Sequence, residues 1–392
     1  MSGKVQESMK PDLCRWNPDR RMFLKMTTGS AIVAMVEGQP AMAESNVSVQ
    51  TAGSRPSGAT NTTRVIIDTD PGVDDAFALM LALRSPELKV EAITAVAGNL
   101  PLEITLPNAL RLIEICDRPD IPVAGGAAAP LIRRQVTAAS AHGENGLGGV
   151  ELPEPKITPI KEHAADLICR IVNQNPSEIT LIALGPLTNL ALALRADPTL
   201  SKAVKSIVLM GGSLSGGNVT PAAEFNFYVD PEAASIVFNS EIPITMVGLD
   251  VTRKVELTEP YIRQLEAGKN KPSQAAARIA RAITATYQKH GQKGGPTLHD
   301  PLAVSALIRP HILTFENYQI KIETTGSITA GESVGWKHGP INYAAALENI
   351  GSSSTKSEET FTANTRVGVD VRPGEFFDLL IERITSNTES NG

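Results

Sequence analysis

Four carboxylates fall within eight residues at Asp68-Thr69-Asp70-Pro71-Gly72-Val73-Asp74-Asp75. Crowded together, they raise one another's pKa values unless a cation neutralises them. Pro71-Gly72 forces a turn directly after a strand, which aims Asp70 and Asp75 toward a shared centre. Asp74 and Asp75 then open a helix, where the macrodipole favours negative charge. Oxygen ligands with no His or Cys beside them point to Ca²⁺ or Mg²⁺ rather than zinc. The plain reading of the same residues is a helix cap and a solvated acidic turn. Asp-x-Asp after a first strand also suits a phosphoryl-transfer nucleophile, with Asp68 attacking and Asp70 as acid and base. That chemistry wants a downstream Lys and Ser/Thr to hold the phosphate. The rest of this chain offers groups suited to gripping a sugar.

The stretch from Met210 to Asn226 is rich in Gly and Asn. Its glycines let backbone approach a ligand closely. Asn218, Glu224 and Asn226 offer amide and carboxylate partners for hydroxyls, and Phe225 offers an apolar face. Such loops are often only turns. Farther on, Gly294-Gly295-Pro296-Thr297-Leu298-His299-Asp300-Pro301 sets His299 beside Asp300, ahead of an apolar helix beginning near Leu302. Alone, these are a surface imidazole and an N-cap. Beside a metal cluster they become a proton donor and a carboxylate ligand.

These groups need elements to gather them. From Arg64 onward, short β-branched runs alternate with Ala/Leu-rich segments at helical spacing, the pattern of repeated βα units. Strands are expected at Arg64–Asp68, Val90–Val96, Ile121–Ala124, Ile179–Ala183, Ser206–Met210 and Ile244–Leu249. Helices are expected at Asp74–Arg84, Pro107–Cys116, Ala164–Asn173 and Leu187–Arg195, with a final strand at Thr365–Val371 and a helix after it. Polar residues follow the strands: the acidic octapeptide, Gly98-Asn99, Leu184-Gly185-Pro186-Leu187-Thr188-Asn189, Gly211-Gly212 and Asp250. Ligands of open parallel sheets bind outside the carboxyl ends of the strands, so these turns should meet on one rim.

Composition agrees. The 392 residues are 42% hydrophobic but only 4% aromatic, a balance that suits buried parallel strands covered by helices. A net charge of −6 argues against a nucleic-acid partner, which needs a basic surface. Cys14, Cys116 and Cys169 show no CxxC spacing, so neither a zinc motif nor a disulfide framework is expected. Cys116 and Cys169 lie in apolar helical runs and read as buried small hydrophobes.

The N-terminus reads as an address. Arg20-Arg21 precedes a weakly apolar run from Met26 to Val36, and Ala41-Met42-Ala43 supplies a cleavage site. This is the pattern of a twin-arginine export signal over residues 1–43, with Asp19 where Ser or Thr is usual. It implies a periplasmic or extracellular destination, and the run is too short to span a membrane. Residues 44–63 read as a disordered linker. The Ser/Thr/Lys/Glu-rich stretch 351–365 reads as a mobile loop without a functional account.

The acidic octapeptide resembles the N-terminal signature of the inosine/uridine-preferring nucleoside hydrolases. Ala97-Gly98-Asn99, His142-Gly143-Glu144-Asn145-Gly146-Leu147, Leu184–Asn189, the Asn218–Asn226 stretch and His299-Asp300-Pro301 resemble that family in the same order. The resemblance implies a single α/β catalytic domain over residues 64–392, around a mostly parallel, Rossmann-like sheet flanked by helices. It also implies a homodimer or homotetramer that hydrolyses ribonucleosides to ribose and a free purine or pyrimidine base. It implies one Ca²⁺ per subunit on the carboxylates of Asp70, Asp75 and Asp300 and the carbonyl of Leu184. Asp74, Asn99, Asn218, Glu224 and Asn226 would hold the ribose hydroxyls, with Met210 packed on the sugar. His299 would lie by the leaving base, with His142 and Tyr287 as further base-side groups and Asp70 as general base. The alternative is a periplasmic nucleoside- or sugar-binding protein that kept this site without turnover.

Overall fold

A computed structural model describes residues 62–289, 291, 294–337 and 363–386. The twin-arginine segment, nearly all of the 44–63 linker, Cys14 and residues 351–362 of the expected loop lie outside them. Among the described residues, nine strands form one sheet: β1 (Thr63–Thr69), β2 (Leu88–Ala95), β3 (Val123–Gly125), β4 (Ile179–Ala183), β5 (Ser206–Met210), β6 (Ile244–Val247), β7 (Leu313–Ile322), β8 (Ser333–Trp336) and β9 (Thr365–Val371). Their order is β3-β2-β1-β4-β5-β6-β9-β7-β8. The run from β3 to β9 is parallel, and β7 adds antiparallel to β9 and to β8. The α/β expectation of a mostly parallel sheet is met, and no helix among the described residues is long and apolar enough to cross a membrane.

Alternate residues of a strand face opposite sides, so each apolar strand feeds two cores. Val65 and Ile67 of β1 join the core with the helices Val73–Leu83, Lys271–Lys289, His299–Ile308 and Pro373–Thr385. Ile66 joins the opposite core, under the helices Ala164–Gln174, Thr188–Ala196 and Pro231–Phe238. The helix Val73–Leu83 is buried along its whole length. A helix can be apolar all round only in such a place. It packs against the helix His299–Ile308, so two first turns bearing Asp74, Asp75 and Asp300 come together from distant parts of the chain.

Several expectations need correction. The second helix begins at Leu102, not Pro107, and Pro107 lies inside it. Proline there removes one backbone donor. The first turn is held all the same, because Ile104 and Thr105 donate to Pro101 O and Thr105 Oγ1 donates to Val96 O. β6 stops at Val247, and Leu249 starts a one-turn helix instead of ending the strand, its N–H drawn to Gly212 O at 3.0 Å. The apolar helix expected near Leu302 already contains His299 and Asp300. Thr63 belongs to β1, not to the linker. Cys169 is half-buried, not core, with its thiol 3.5 Å from Ala193 O. β7 and β8 were not among the expected strands.

The aromatic ring of Phe227 fixes the loop after β5. It is fully buried, edge-on to Phe238 at 5.5 Å, and a Cβ on Gly211 or Gly212 would come within 2.5 or 2.6 Å of it. Phe227→Ala should therefore lower unfolding free energy by about 3–5 kcal/mol in a urea titration. A loss below about 1 kcal/mol would mean that the cavity closes and the ring is not what holds the loop.

Candidate active site

The carboxyl ends of β1, β2, β4 and β5 open on a cavity of about 530 Å³. Asp74, Asn99, His142, Leu184, Met210, Asn218, Glu224, Phe225, Asn226, Tyr287, His299 and Asp300 all line it, which brings together twelve of the site residues read from the sequence. Asp70 and Asp75 complete the set one layer deeper, both fully buried.

The floor is acidic. Asp74, Asp75 and Asp300 each present an oxygen within 4.8 Å of the others, and all three are buried. Backbone and side-chain donors aim them. Asp75 Oδ1 accepts from Thr69 Oγ1 at 2.5 Å, and its Oδ2 accepts from Gly72 N at 3.0 Å and Asn99 Nδ2 at 3.1 Å. Asp70 Oδ2 accepts from Asn99 N at 2.6 Å, while its Oδ1 is buried without a hydrogen-bond partner. Asp70 is thus not one of the three closest carboxylates, and Asp74, expected to hold sugar, is.

Burial, reinforced by neighbouring negative charge, holds the carboxyls of Asp70, Asp75 and Asp300 above the usual range. Protons or a cation must balance such a cluster. The donor chemistry fits a hard divalent cation: clustered carboxylate oxygens, an unpartnered Asp70 oxygen, and the Leu184 carbonyl on the same cavity wall. Leu184 O already accepts from Asn226 Nδ2 at 2.8 Å, but a carbonyl keeps a second lone pair.

Two of the groups expected to hold the sugar are preset. Glu224 caps the helix Phe225–Val229, with Oε1 taking Asn226 N at 2.9 Å and Oε2 taking Gly212 N at 3.0 Å. Burial lifts its carboxyl to about 7 despite those donors. Asn226 Nδ2 also reaches Met210 O at 3.1 Å, which fixes the amide and leaves its Oδ1 free to face a ligand.

On the other wall, His142 Nδ1 accepts from Val73 N at 3.0 Å. His299 Nδ1 pairs with Thr252 Oγ1 at 2.8 Å, and burial pushes the imidazole below its ordinary pKa. Tyr287 is raised by burial and by Asp74. Thr69 and Thr252 were missed in the sequence. Thr69 lies inside the acidic signature, and Thr252 follows the polar ending of β6, so position after a strand was the available signal.

Asp68, the nucleophile of the phosphoryl-transfer reading, does not line the cavity. It is 1% exposed, and its Oδ1 accepts from Thr94 Oγ1 at 2.5 Å and Asn189 Nδ2 at 2.8 Å. That reading fails because the carboxylate is sealed beneath the rim.

The chain is similar to proteins of a known class. Residues 65–378 match the family described as inosine-uridine preferring nucleoside hydrolase. A pyrimidine-specific ribonucleoside hydrolase, RihA, of Photobacterium profundum is 44% identical over 324 residues, covering 82% of this chain and 98% of its own. RihA of Salmonella gallinarum is 43% identical over 322 residues, covering 82% and 97%. Among solved structures, a plant nucleoside hydrolase superposes with a TM-score of 0.75 at 34% identity, covering 83% of this chain and 99% of its own. A purine-preferring ribonucleoside hydrolase from Gardnerella vaginalis gives 0.73 at 31%, covering 82% and 98%. All are named as hydrolases, which weighs against a binding protein without turnover. With a family match over most of its length and relatives above 40% identity, the chain belongs to the inosine-uridine preferring nucleoside hydrolase family.

Proposed function

We propose that this nucleoside hydrolase releases the base of ribonucleosides at the cavity above Asp74, Asp75 and Asp300, with Ca²⁺ as its ion. The observation that carries the reading is the convergence of those buried carboxylates in a cavity lined by Asn99, Asn218, Glu224 and Asn226. Asp70, Asp75, Asp300 and the Leu184 carbonyl would hold the ion, and Asp74 lies near enough to share it. Ca²⁺ accepts many oxygens in flexible geometry, which suits a floor of protein oxygens below a diol better than the strict octahedron of Mg²⁺. When bound, a divalent ion offsets the carboxylate charge and lowers the pKa of water.

The residues divide the remaining work. Asp70, with one oxygen fixed on Asn99 N and the other unpartnered, takes a proton from the attacking water as general base. The C1′–N bond breaks, its electron pair leaving with the base, and the new C1′–O bond gives ribose. Asp74, Asn99, Asn218, Glu224 and Asn226 grip hydroxyls whose hydrogen bonds strengthen as positive charge spreads over the sugar. Met210 and Phe225 supply apolar contact. His299 donates a proton to the leaving base, with His142 and Tyr287 on the same side. Similarity to the pyrimidine-specific relatives favours uridine and cytidine over inosine. The twin-arginine pattern supports export to the periplasm or beyond after cleavage behind Ala43, and family resemblance supports a homodimer or homotetramer.

Purified mature protein should contain near-stoichiometric calcium by elemental analysis. EGTA treatment should cut base release from uridine by about 10²-fold or more, with recovery on adding Ca²⁺. Turnover untouched by stripping would sink the reading. Gly98 offers a test of Asp70 without changing a carboxylate. A Cβ there would run into the Asp70 carboxylate and the Pro186 ring. Gly98→Ala should therefore cost about 10²-fold in kcat on uridine, because small misplacements of reacting groups are that expensive. Wild-type kcat would show that Asp70 need not sit where it does. For export, replacing Arg20 and Arg21 with Lys should leave uncut precursor in the cytoplasm. Equal processing of that variant to an N-terminus at Glu44 would count against the twin-arginine route.

A further inference from the structure

Behind His299 lies a hydroxyl that the chemistry above does not use. Thr252 is fully buried, and its Oγ1 stands 2.8 Å from His299 Nδ1. It closes the one-turn helix Leu249–Thr252, which is itself tied to the sugar side of the cavity. Leu249 N donates to Gly212 O at 3.0 Å, and Gly212 N donates to Glu224 Oε2 at 3.0 Å. In the same turn, Asp250 accepts from Leu214 N at 2.8 Å and Ser215 Oγ at 2.6 Å. One short helix thus holds both the glycine loop and the imidazole.

The chemistry of the pair has a direction. With Nδ1 engaged on the buried side, Nε2 is the ring nitrogen left for the cavity that His299 lines. The terminal torsion of histidine is broad and roughly two-fold, so a ring without a partner can turn over and exchange nitrogen for carbon at the cavity. A hydroxyl can donate or accept. It therefore holds Nδ1 in either tautomer and keeps the ring from turning over.

We infer that Thr252 is a positioning residue for His299, fixing the ring so that Nε2–H meets the departing base. The inference rests on the reading of His299 as the leaving-group acid. Its contribution must then depend on how badly the leaving group needs a proton. A pyrimidine leaves poorly as an anion and feels the loss. Nitrophenolate leaves unaided and does not.

The test compares Thr252→Val, Thr252→Ser and His299→Ala on uridine and on 4-nitrophenyl riboside, with kcat and KM measured for each. Thr252→Val should lower kcat on uridine by about 10- to 100-fold with KM nearly unchanged, and should alter kcat on the nitrophenyl substrate by no more than about twofold. Activity on the second substrate also reports that the variant has folded. Thr252→Ser restores the hydroxyl and should bring uridine turnover back to within about threefold of the wild type. His299→Ala should show the same split, larger. If His299→Ala loses equally on both substrates, the acid assignment fails and takes this inference with it. If His299→Ala splits the substrates but Thr252→Val does not, or serine fails to rescue, then Thr252 only fills space and the inference alone is overturned.

Discussion

Negative charge buried under a sheet rim is the constraint around which this molecule is arranged. Asp70, Asp75 and Asp300 are all raised by burial and by neighbouring carboxylates, Asp74 among them in each case. A group of that kind is costly unless donors and a counter-charge meet it. The chain supplies donors generously in some places and withholds them in others: Asp75 is met by Thr69, Gly72 and Asn99, whereas Asp70 Oδ1 meets none. Oriented but undercompensated oxygens are what a cation site requires before the cation arrives. Two helix N-termini supply part of the compensation. Val73–Leu83 and His299–Ile308 carry their acids in the first turn, where the dipole is positive, and they pack on each other.

Sheet order explains why residues so far apart in sequence can meet. β1 lies between β2 and β4, and the connections run in opposite directions from it, giving the order β3-β2-β1-β4-β5-β6. A crevice opens where that direction reverses. Registers complete the match: Asp68 pairs with Thr94 on one side and Ala183 on the other, so Asp70, Asn99 and Leu184 leave the sheet at nearly one level. Asp68 itself is not idle in this. Its carboxylate ties β2 to Asn189, and its carbonyl accepts Leu184 N at 2.8 Å, which seats the Leu184 peptide at the rim.

Much of this was readable beforehand, and the exceptions have physical causes. β4 and β5 are short, wholly or nearly wholly buried runs bounded by polar turns, and their limits fall where expected. β7 is different. Its residues alternate irregularly between buried and exposed, and its antiparallel partner β9 lies far along the chain, so no local period marks it. Pro107 disguised the start of its helix because the first turn is secured by contacts to Val96 and Pro101 that no propensity records. In the site, the acids were legible because four carboxylates crowd into eight residues directly after a strand. Thr252 was marked only by its place after a strand, since one threonine in a one-turn helix carries no sign of the imidazole it meets.

Preorganisation accounts for the division between what the cavity fixes and what it leaves open. Glu224 spends both oxygens on the backbone of its own loop, and Asn226 spends both donor hydrogens on Leu184 O and Met210 O. Neither group can swing to follow a ligand, so a sugar must fit them as they stand, and little reorganisation is left for the reaction itself. Other parts of the cavity wall are built otherwise. Val136 and Val219 stand exposed on separate loops at the cavity wall, and His142 and Tyr287 come from two further segments. Apolar contacts of that kind distinguish bases only weakly. On the proposed reading, the rigid polar grip falls on the ribose and the loosely apolar wall on the base, so this cavity would select the pentose more strictly than the base.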